Sequence, residues 1–140
     1  MTRATAISSL LLAAALIASA CGGSTATSTS QLGANLTDNK VQLSLNEVPA
    51  GKVTFTVTNG GTVVHSLVLL KTIQPEDKIP ADPKDASRVM ETGGVWSSGP
   101  IAAGQKKDFV LPDLKSGAYV LVCNEPAHYV VGMHTALVVK

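Results

Sequence analysis

The sequence has few aromatic residues, only three histidines and no excess of charge of either sign. Aromatic residues make up 4% of the 140 residues, so a hydrophobic core has to be built from Val, Leu, Ile and Ala. The 11 Lys and Arg residues are nearly balanced by 10 Asp and Glu residues. Because there is neither a basic excess nor an acidic tail, the composition gives no indication of a nucleic-acid partner. The length is that of one domain.

Residues 1–20 have the pattern of a secretory signal peptide. Arg3 gives a positively charged start, Leu10–Ile17 is an apolar run, and Ala18-Ser19-Ala20 is a small-residue cleavage site. The apolar run is too short to span a bilayer comfortably. We therefore expect an exported protein whose mature chain has ten basic and ten acidic residues, because Arg3 is lost.

Cys21 follows the cleavage site directly. The stretch Ala18-Ser19-Ala20-Cys21 resembles the lipobox of bacterial lipoproteins, in which this cysteine is acylated, although Ala18 stands where Leu is commonest. The same residues also fit ordinary cleavage after Ala20, which would leave a free thiol. We expect a protein that is lipid-anchored to the outer face of the bacterial cell membrane, or periplasmic if Cys21 is not acylated. The mature chain would then be a flexible tether over 21–36, with the composition GGSTATSTS at its start, and a single domain over 37–140.

Strand signals dominate the chain from Val41 onward. Apolar and polar residues alternate at 41–45 and 52–58 with the period of half-buried β-strands, and further strands are predicted at 63–70, 107–111, 118–123 and 134–139. Turn residues separate them, so an all-β Greek-key sandwich or barrel is predicted. Residues 72–104 are expected to be a long irregular excursion, in which 82–90 could form a short helix and Trp96 packs over one end of the sandwich.

An exported protein with an acylated Cys21 has one remaining cysteine, Cys123, and no disulfide partner for it. Cys123, His128 and Met133 form the pattern C-x4-H-x4-M, and His65 lies on an earlier strand. Each of these residues alone is more often core filler. Together a thiolate, two imidazoles and a weak thioether are the ligand set of a type 1 copper site, because sulfur suits Cu(I) and imidazole suits both oxidation states.

At this point the sequence resembles the cupredoxins, the family of plastocyanin, azurin, amicyanin and auracyanin. The matching pieces are Val48–Val57, Asn59 with His65, Ala103–Phe109 and Gly117–Cys123. The resemblance implies one copper ion with His65, Cys123 and His128 as strong ligands and Met133 as the long axial ligand. The chain departs from the family in having Ser66 where many members have Asn, and Ala127 where many have Gly.

Two further hypotheses concern the surroundings of the copper. The backbone N–H groups of Ser66 and Glu125 are available to the Cys123 sulfur, and two donors to a thiolate would raise the reduction potential. Tyr129, Val130 and Val131 lie on the ligand loop and are predicted to form an exposed apolar patch through which His128 meets a redox partner. The third histidine, His134, should point away from Met133, because adjacent strand residues face opposite sides.

The leading prediction for function is single-electron transfer between membrane-associated redox proteins by a monomer that is not an enzyme. The alternative is copper binding and delivery, but delivery proteins favour several exchangeable Met or His ligands, and the mature chain has only Met90 and Met133. A nitrite reductase would need a second copper site and more than three histidines. A dinuclear site would need two cysteines on the loop.

Overall fold

The computed structural model describes residues 29–140, so the predicted signal peptide, Cys21 and the first half of the predicted tether lie outside the described residues. Within 29–140 the fold is all-β. The strands are β1 (Ser30–Thr37), β2 (Lys40–Leu43), β3 (Glu47–Val48), β4 (Gly51–Asn59), β5 (His65–Lys71), β6 (Ala81–Asp82), β7 (Asp85–Val89), β8 (Gly94–Ile101), β9 (Lys106–Leu114), β10 (Gly117–Cys123) and β11 (His134–Val139). No helix among these residues is long and apolar enough to cross a membrane.

The strands form two main sheets, which pack as a Greek-key sandwich. The first sheet has the order β2-β1-β4-β9 and the second has the order β3-β11-β10-β5-β8. β1 runs parallel to β4 and β11 runs parallel to β3, whereas β10 pairs antiparallel with both β5 and β11. The predicted fold class is therefore confirmed.

The main core lies between the two sheets and is built mostly from aliphatic residues, as the low aromatic content requires. Its members come from alternate positions of each strand, for example Val53, Phe55 and Val57 of β4. Burial of one such side chain contributes about 1.5–3 kcal/mol. Trp96 of β8 stacks on Phe55 with ring centroids 5.4 Å apart, so the only tryptophan packs against this core from the side of β8.

Two predictions about the chain's organisation are wrong in part. Residues 30–36 do not belong to a tether, because they form most of β1, in which Leu32, Ala34 and Leu36 are buried. Residues 72–104 are not irregular throughout, because β8 is an edge strand of the second sheet and β6 and β7 form a separate hairpin. The possible helix over 82–90 is replaced by that hairpin, since Asp85–Val89 is a strand.

The β6–β7 hairpin covers the outer face of the second sheet. A second apolar cluster lies beneath it, formed by Val68, Leu70, Ile79, Val89, Val120, Val122 and Tyr129. β5 and β10 thus have apolar residues on both faces, which explains why 63–70 and 118–123 are almost continuously hydrophobic.

Candidate metal centre

Three connections meet at one end of the sandwich. They are the β1–β2 turn, the β4–β5 turn and the loop over 124–133 that joins β10 to β11, which we call the ligand loop. Parallel pairing of β1 with β4 brings the first two turns to the same end. Pairing of Cys123 with Leu67 brings the end of β10 beside the start of β5. His65 and Cys123 are therefore neighbours because of the sheet register.

The structure brings three of the predicted ligands together. The Nδ1 atoms of His65 and His128 are 3.1 Å apart, and the Cys123 Sγ lies 3.7 Å from the first and 3.5 Å from the second. His65 and Cys123 are fully buried, and His128 is partly exposed. Among residues 29–140 this is the group of His, Cys and acidic side chains placed closely enough to hold a metal ion.

Met133, the fourth predicted ligand, is also fully buried and lies at the end of the ligand loop. Its carbonyl accepts a hydrogen bond of 2.9 Å from the Cys123 N–H, and its own N–H donates to the His128 carbonyl. These two backbone bonds hold Met133 next to the other two residues of the C-x4-H-x4-M pattern. The C-x4-H-x4-M spacing therefore matches a loop whose two ends are joined by a backbone hydrogen bond.

The Cys123 sulfur has two opposing influences on its ionisation. Burial raises the pKa of the Cys123 thiol, whereas hydrogen bonds from the backbone N–H groups of Glu125 and Ser66 favour the thiolate and lower that pKa. Burial is the larger effect, so the pKa lies above its ordinary value. The two N–H donors are those that the sequence predicted for the sulfur.

The His65 ring has a partner on each nitrogen. Its Nδ1 faces the metal-binding group, and its Nε2 lies 3.2 Å from Oδ1 of Asp38 in the β1–β2 turn. Burial lowers the pKa of His65 and outweighs the hydrogen bond to Asp38, which raises it. The imidazole therefore favours the neutral form, in which Nε2–H donates to the carboxylate and Nδ1 keeps a free lone pair.

The ligand loop is tied to the β6–β7 hairpin by several polar contacts. Asn124, which is buried, accepts a 2.8 Å bond from the Val89 N–H and donates to the Val89 carbonyl and to Glu91. Arg88 donates to the Asn124 carbonyl, and its guanidinium lies 3.6 Å from the Glu125 carboxylate. The Ala127 N–H donates to the Ser87 carbonyl. The hairpin therefore holds the loop that carries two of the predicted ligands, His128 and Met133, and that begins directly after Cys123.

Ala127 has a φ of 65°, in the left-handed region that glycine favours. It lies directly before His128, at the position where many cupredoxins have Gly. Alanine in place of glycine at this position therefore strains the backbone. The hydrogen bond from the Ala127 N–H to the Ser87 carbonyl holds the residue in this conformation.

Two of the three residues of the predicted apolar patch are exposed. Val130 is 74% exposed and Val131 is 55% exposed, beside the partly exposed His128. Tyr129 was wrongly included, because it is only 9% exposed and belongs to the cluster beneath the hairpin. Its hydroxyl accepts from the Ile79 N–H and donates to the Glu76 carbonyl, so the ring and the oxygen are both used inside the protein.

His134 lies outside the metal-binding group, as the alternation of strand residues predicts. It is not on the open surface, however, since its side chain is only 18% exposed. Its ring packs beside Tyr129, and its Nδ1 lies 3.6 Å from a Glu76 carboxylate oxygen.

The donor set fits a single copper ion. Metal–nitrogen and metal–sulfur bonds of about 2.0 and 2.3 Å, as in protein zinc sites, place donors on one ion no more than about 4.3 Å apart. The three separations of 3.1, 3.5 and 3.7 Å lie inside that limit. Two imidazoles, one thiolate and a thioether match the type 1 copper site rather than the tetrahedral sulfur-rich sites of zinc.

Sequence reasoning missed Asp38, Arg88 and Asn124 at this site. Asp38 is 27 positions from His65, and Arg88 is 36 positions from Asn124, so no local spacing links the partners. Only Asn124 gave a usable indication, because a polar residue that directly follows a ligand at the end of a buried strand needs hydrogen-bond partners.

Comparison with known proteins agrees with this geometry. The model of the Sulfocyanin (SoxE) domain matches residues 20–140. No curated protein sequence matches the chain.

Three similar solved structures are two auracyanins and a rusticyanin. An auracyanin from Roseiflexus castenholzii is 24% identical with a TM-score of 0.54, covering 80% of this chain and 96% of that one. Auracyanin A from Chloroflexus aurantiacus, described as a "blue" copper protein, is 19% identical with a TM-score of 0.55, covering 81% and 100%. Rusticyanin from Thiobacillus ferrooxidans is 22% identical with a TM-score of 0.53, covering 80% and 77%. These likenesses establish the fold.

The family match covers all of the described residues, and the His, Cys and Met donors fit one type 1 copper ion as the cofactor. The chain therefore belongs to the sulfocyanin domain family and is a cupredoxin.

Proposed function

We propose that this protein carries single electrons, with His65, Cys123, His128 and Met133 as the ligands of its copper ion. The observation that carries the proposal is the burial of the donor set: His65, Cys123 and Met133 are fully buried, and His128 alone reaches the surface. Bound copper supplies a one-electron change between Cu(II) and Cu(I). The protein's part is to hold the donors in place, exclude water and present one ligand edge to a partner.

The surroundings support rapid exchange of electrons without exchange of the metal. The β6–β7 hairpin holds the ligand loop through Arg88 and Asn124, and the sheet register holds His65 beside Cys123. A site that is built from rigid elements changes little between oxidation states. Val130 and Val131 surround the exposed ligand with apolar surface, which suits the small, weakly charged contacts of redox encounters.

Copper delivery is disfavoured by the same burial. A delivery site must release its ion to another protein, whereas two of the three close donors here are inaccessible to solvent. Nothing in the described residues favours an enzymatic reaction over electron transfer, and we propose that the protein is not an enzyme.

A redox cycling experiment distinguishes electron transfer from copper delivery. Copper-loaded protein would be reduced and reoxidised repeatedly in the presence of a Cu(I) chelator, with the copper content measured after each cycle. We expect full reversibility with copper retained, because the ligands stay buried in both states. Transfer of copper to the chelator on first reduction, faster than reoxidation, would instead support delivery.

We also propose that the protein is a monomer and that its partners are redox proteins. We further propose that it is exported and held at the membrane by acylated Cys21, and the sequence pattern of residues 1–21 supports this proposal. In a bacterial host, Cys21→Ser should move the protein from the membrane fraction to the soluble envelope fraction without changing its copper content. Retention of the variant in the membrane would contradict acylation as the anchor.

A further inference from the structure

The carboxylate of Asp38 contacts a copper ligand from the side away from the metal-binding group. Its Oδ1 lies 3.2 Å from Nε2 of His65, which is fully buried, and the Asp38 side chain itself is 45% exposed. Nδ1 of the same ring faces Cys123 and His128. The imidazole thus lies between the ligand cluster and a carboxylate, an arrangement that in metal sites fixes the ring tautomer and strengthens the imidazole as a donor.

Both oxygens of this carboxylate are held by one residue of the β4–β5 turn. The Thr62 N–H donates to Oδ1 at 2.7 Å, and the Thr62 hydroxyl donates to Oδ2 at 2.8 Å. The His65 ring is a third partner, on Oδ1, so three groups that can donate converge on this side chain, which suits a carboxylate. These contacts fix the orientation of the carboxylate beside the ring.

The neighbouring glycine leaves room for the contact. A Cβ at Gly61 would lie 2.6 Å from Nε2 of His65 and closer still to Oδ1 of Asp38. No side chain fits there without separating the carboxylate from the ring. The turn is closed by Asn59, whose side chain accepts from the Gly61 N–H and donates to the Val63 and Ile101 carbonyls. Gly61 is thus fixed beside the contact.

We propose that Asp38 is a positioning residue for the copper site, which holds the His65 proton on Nε2 and lowers the reduction potential by stabilising Cu(II) relative to Cu(I). This inference rests on the proposed role of His65 as a ligand. The negative charge acts along the imidazole and favours the more highly charged oxidation state. It opposes the N–H donors of Ser66 and Glu125, which weaken the thiolate's bond to Cu(II) and raise the potential. The potential therefore reflects two opposed sets of contacts.

Four proteins test the proposal: the wild type, Asp38→Asn, Gly61→Ala and the control Asp113→Asn. Asp38→Asn removes the charge but keeps the shape. Gly61→Ala keeps the charge but separates the carboxylate from the ring. Asp113 is an exposed aspartate near the end of β9 that pairs with Lys115. It lies near the start of β10, whereas Cys123 is at the other end of that strand. The control thus makes the same chemical change far from the site.

Two measurements are made on each protein: the reduction potential with copper bound, and the imidazole ¹⁵N shifts of His65 in the metal-free protein by NMR. Loss of a residue that hydrogen-bonds to a metal ligand typically lowers the affinity of the site for its metal about tenfold or more. For Asp38→Asn we expect about a tenfold loss of preference for Cu(II), which for one electron raises the potential by about 59 mV. Gly61→Ala should shift the potential in the same direction and leave His65 as a mixture of tautomers. Asp113→Asn should change neither.

The proposal is overturned if Asp38→Asn and Asp113→Asn shift the potential equally, since that would mean only a long-range charge effect. It is also overturned if Gly61→Ala leaves both the potential and the Nε2 proton unchanged. Thermal unfolding of all four proteins reports whether each is folded. A wild-type protein without a thiolate-to-copper band would contradict the proposed function and this inference together, whereas a normal band with an unmoved potential would contradict the inference alone.

Discussion

At the scale of single residues, Ala127 shows how the ligand loop is constrained. Its left-handed conformation costs a residue with a Cβ about 1–2 kcal/mol, and part of that cost is offset because glycine loses more entropy on folding, about 0.5–1 kcal/mol. The loop accepts the strain because the Ala127 N–H is bonded to Ser87 and places His128 in the cluster. The strained residue therefore lies next to a ligand, where such conformations concentrate.

Ala127→Gly should stabilise the metal-free protein by about 0.5–1 kcal/mol, because glycine adopts the same φ without strain. Urea unfolding measures the difference. Ala118→Gly is the matched control, because Ala118 is an exposed residue of β10 that pairs with Val138 of β11, where glycine should destabilise by about 0.5–1 kcal/mol. Equal destabilisation by the two substitutions would contradict strain at position 127.

The residues of the metal-binding group could largely be predicted from the sequence, because type 1 copper chemistry requires a particular set of donors in a particular order. Cys123, His128 and Met133 are within eleven positions of one another, so their spacing carries the information. Asp38 could not be predicted, since an exposed turn aspartate has no local feature that indicates a ligand histidine. Tyr129 was misassigned because sequence adjacency to Val130 does not indicate which side of the loop a ring occupies.

At the scale of elements, the β6–β7 hairpin is the part of the fold that differs most from expectation. Its residues lack a clear alternation, since only Val89 of β7 is buried. The hairpin's stability comes instead from tertiary contacts to Asn124 and from the cluster beneath it. Strands β4, β5 and β10 could be predicted because burial on one or both faces sets their own residue pattern. β1 was missed because its small and polar residues, such as Gly33 and Ser30, obscure the alternation of three buried positions.

The hydrogen bonds between Asn124 and Val89 allow a test of whether the β6–β7 hairpin stabilises the ligand loop. Asn124→Ala should destabilise the metal-free protein by about 2 kcal/mol, because the buried N–H and carbonyl of Val89 both lose a partner. Hydrogen exchange of the Val89 amide should become faster, and the urea midpoint should fall.

Asn46→Ala is the control for that change, because Asn46 is exposed and only its carbonyl, which alanine retains, bonds to the Val138 N–H. We expect this variant to unfold within about 0.5 kcal/mol of the wild type. If the two Asn→Ala variants lost the same stability, or if Val89 exchange did not change, the hairpin would not be braced through Asn124.

At the scale of the whole molecule, the protein presents one ligand at one end and little charge overall. His128 is partly exposed near Val130 and Val131, and residues 21–140 have ten basic and ten acidic side chains. Long-range steering is therefore weak, and encounters depend on the contact surface itself. Electron self-exchange between two copies of the protein reports on this surface without a known partner.

Val130→Asp should slow electron self-exchange about fivefold, which corresponds to about 1 kcal/mol lost at the contact, and should leave the visible spectrum unchanged. Val110→Asp is the control, because Val110 of β9 is 56% exposed and its replacement makes the same change in charge. Line broadening in NMR spectra of mixed oxidation states measures both rates. Equal slowing in the two variants would show that charge alone, rather than the surface around His128, decides the rate.

Electron transfer by this protein requires that the Cys123 thiolate binds copper together with two imidazoles. The most direct measurement is the visible absorption of the Cu(II)-loaded wild type beside that of Cys123→Ser, with circular dichroism to show that both are folded. We predict an intense thiolate-to-copper band in the wild type that bleaches reversibly on reduction, and no such band in Cys123→Ser. A band of equal intensity in the folded serine variant would contradict the account.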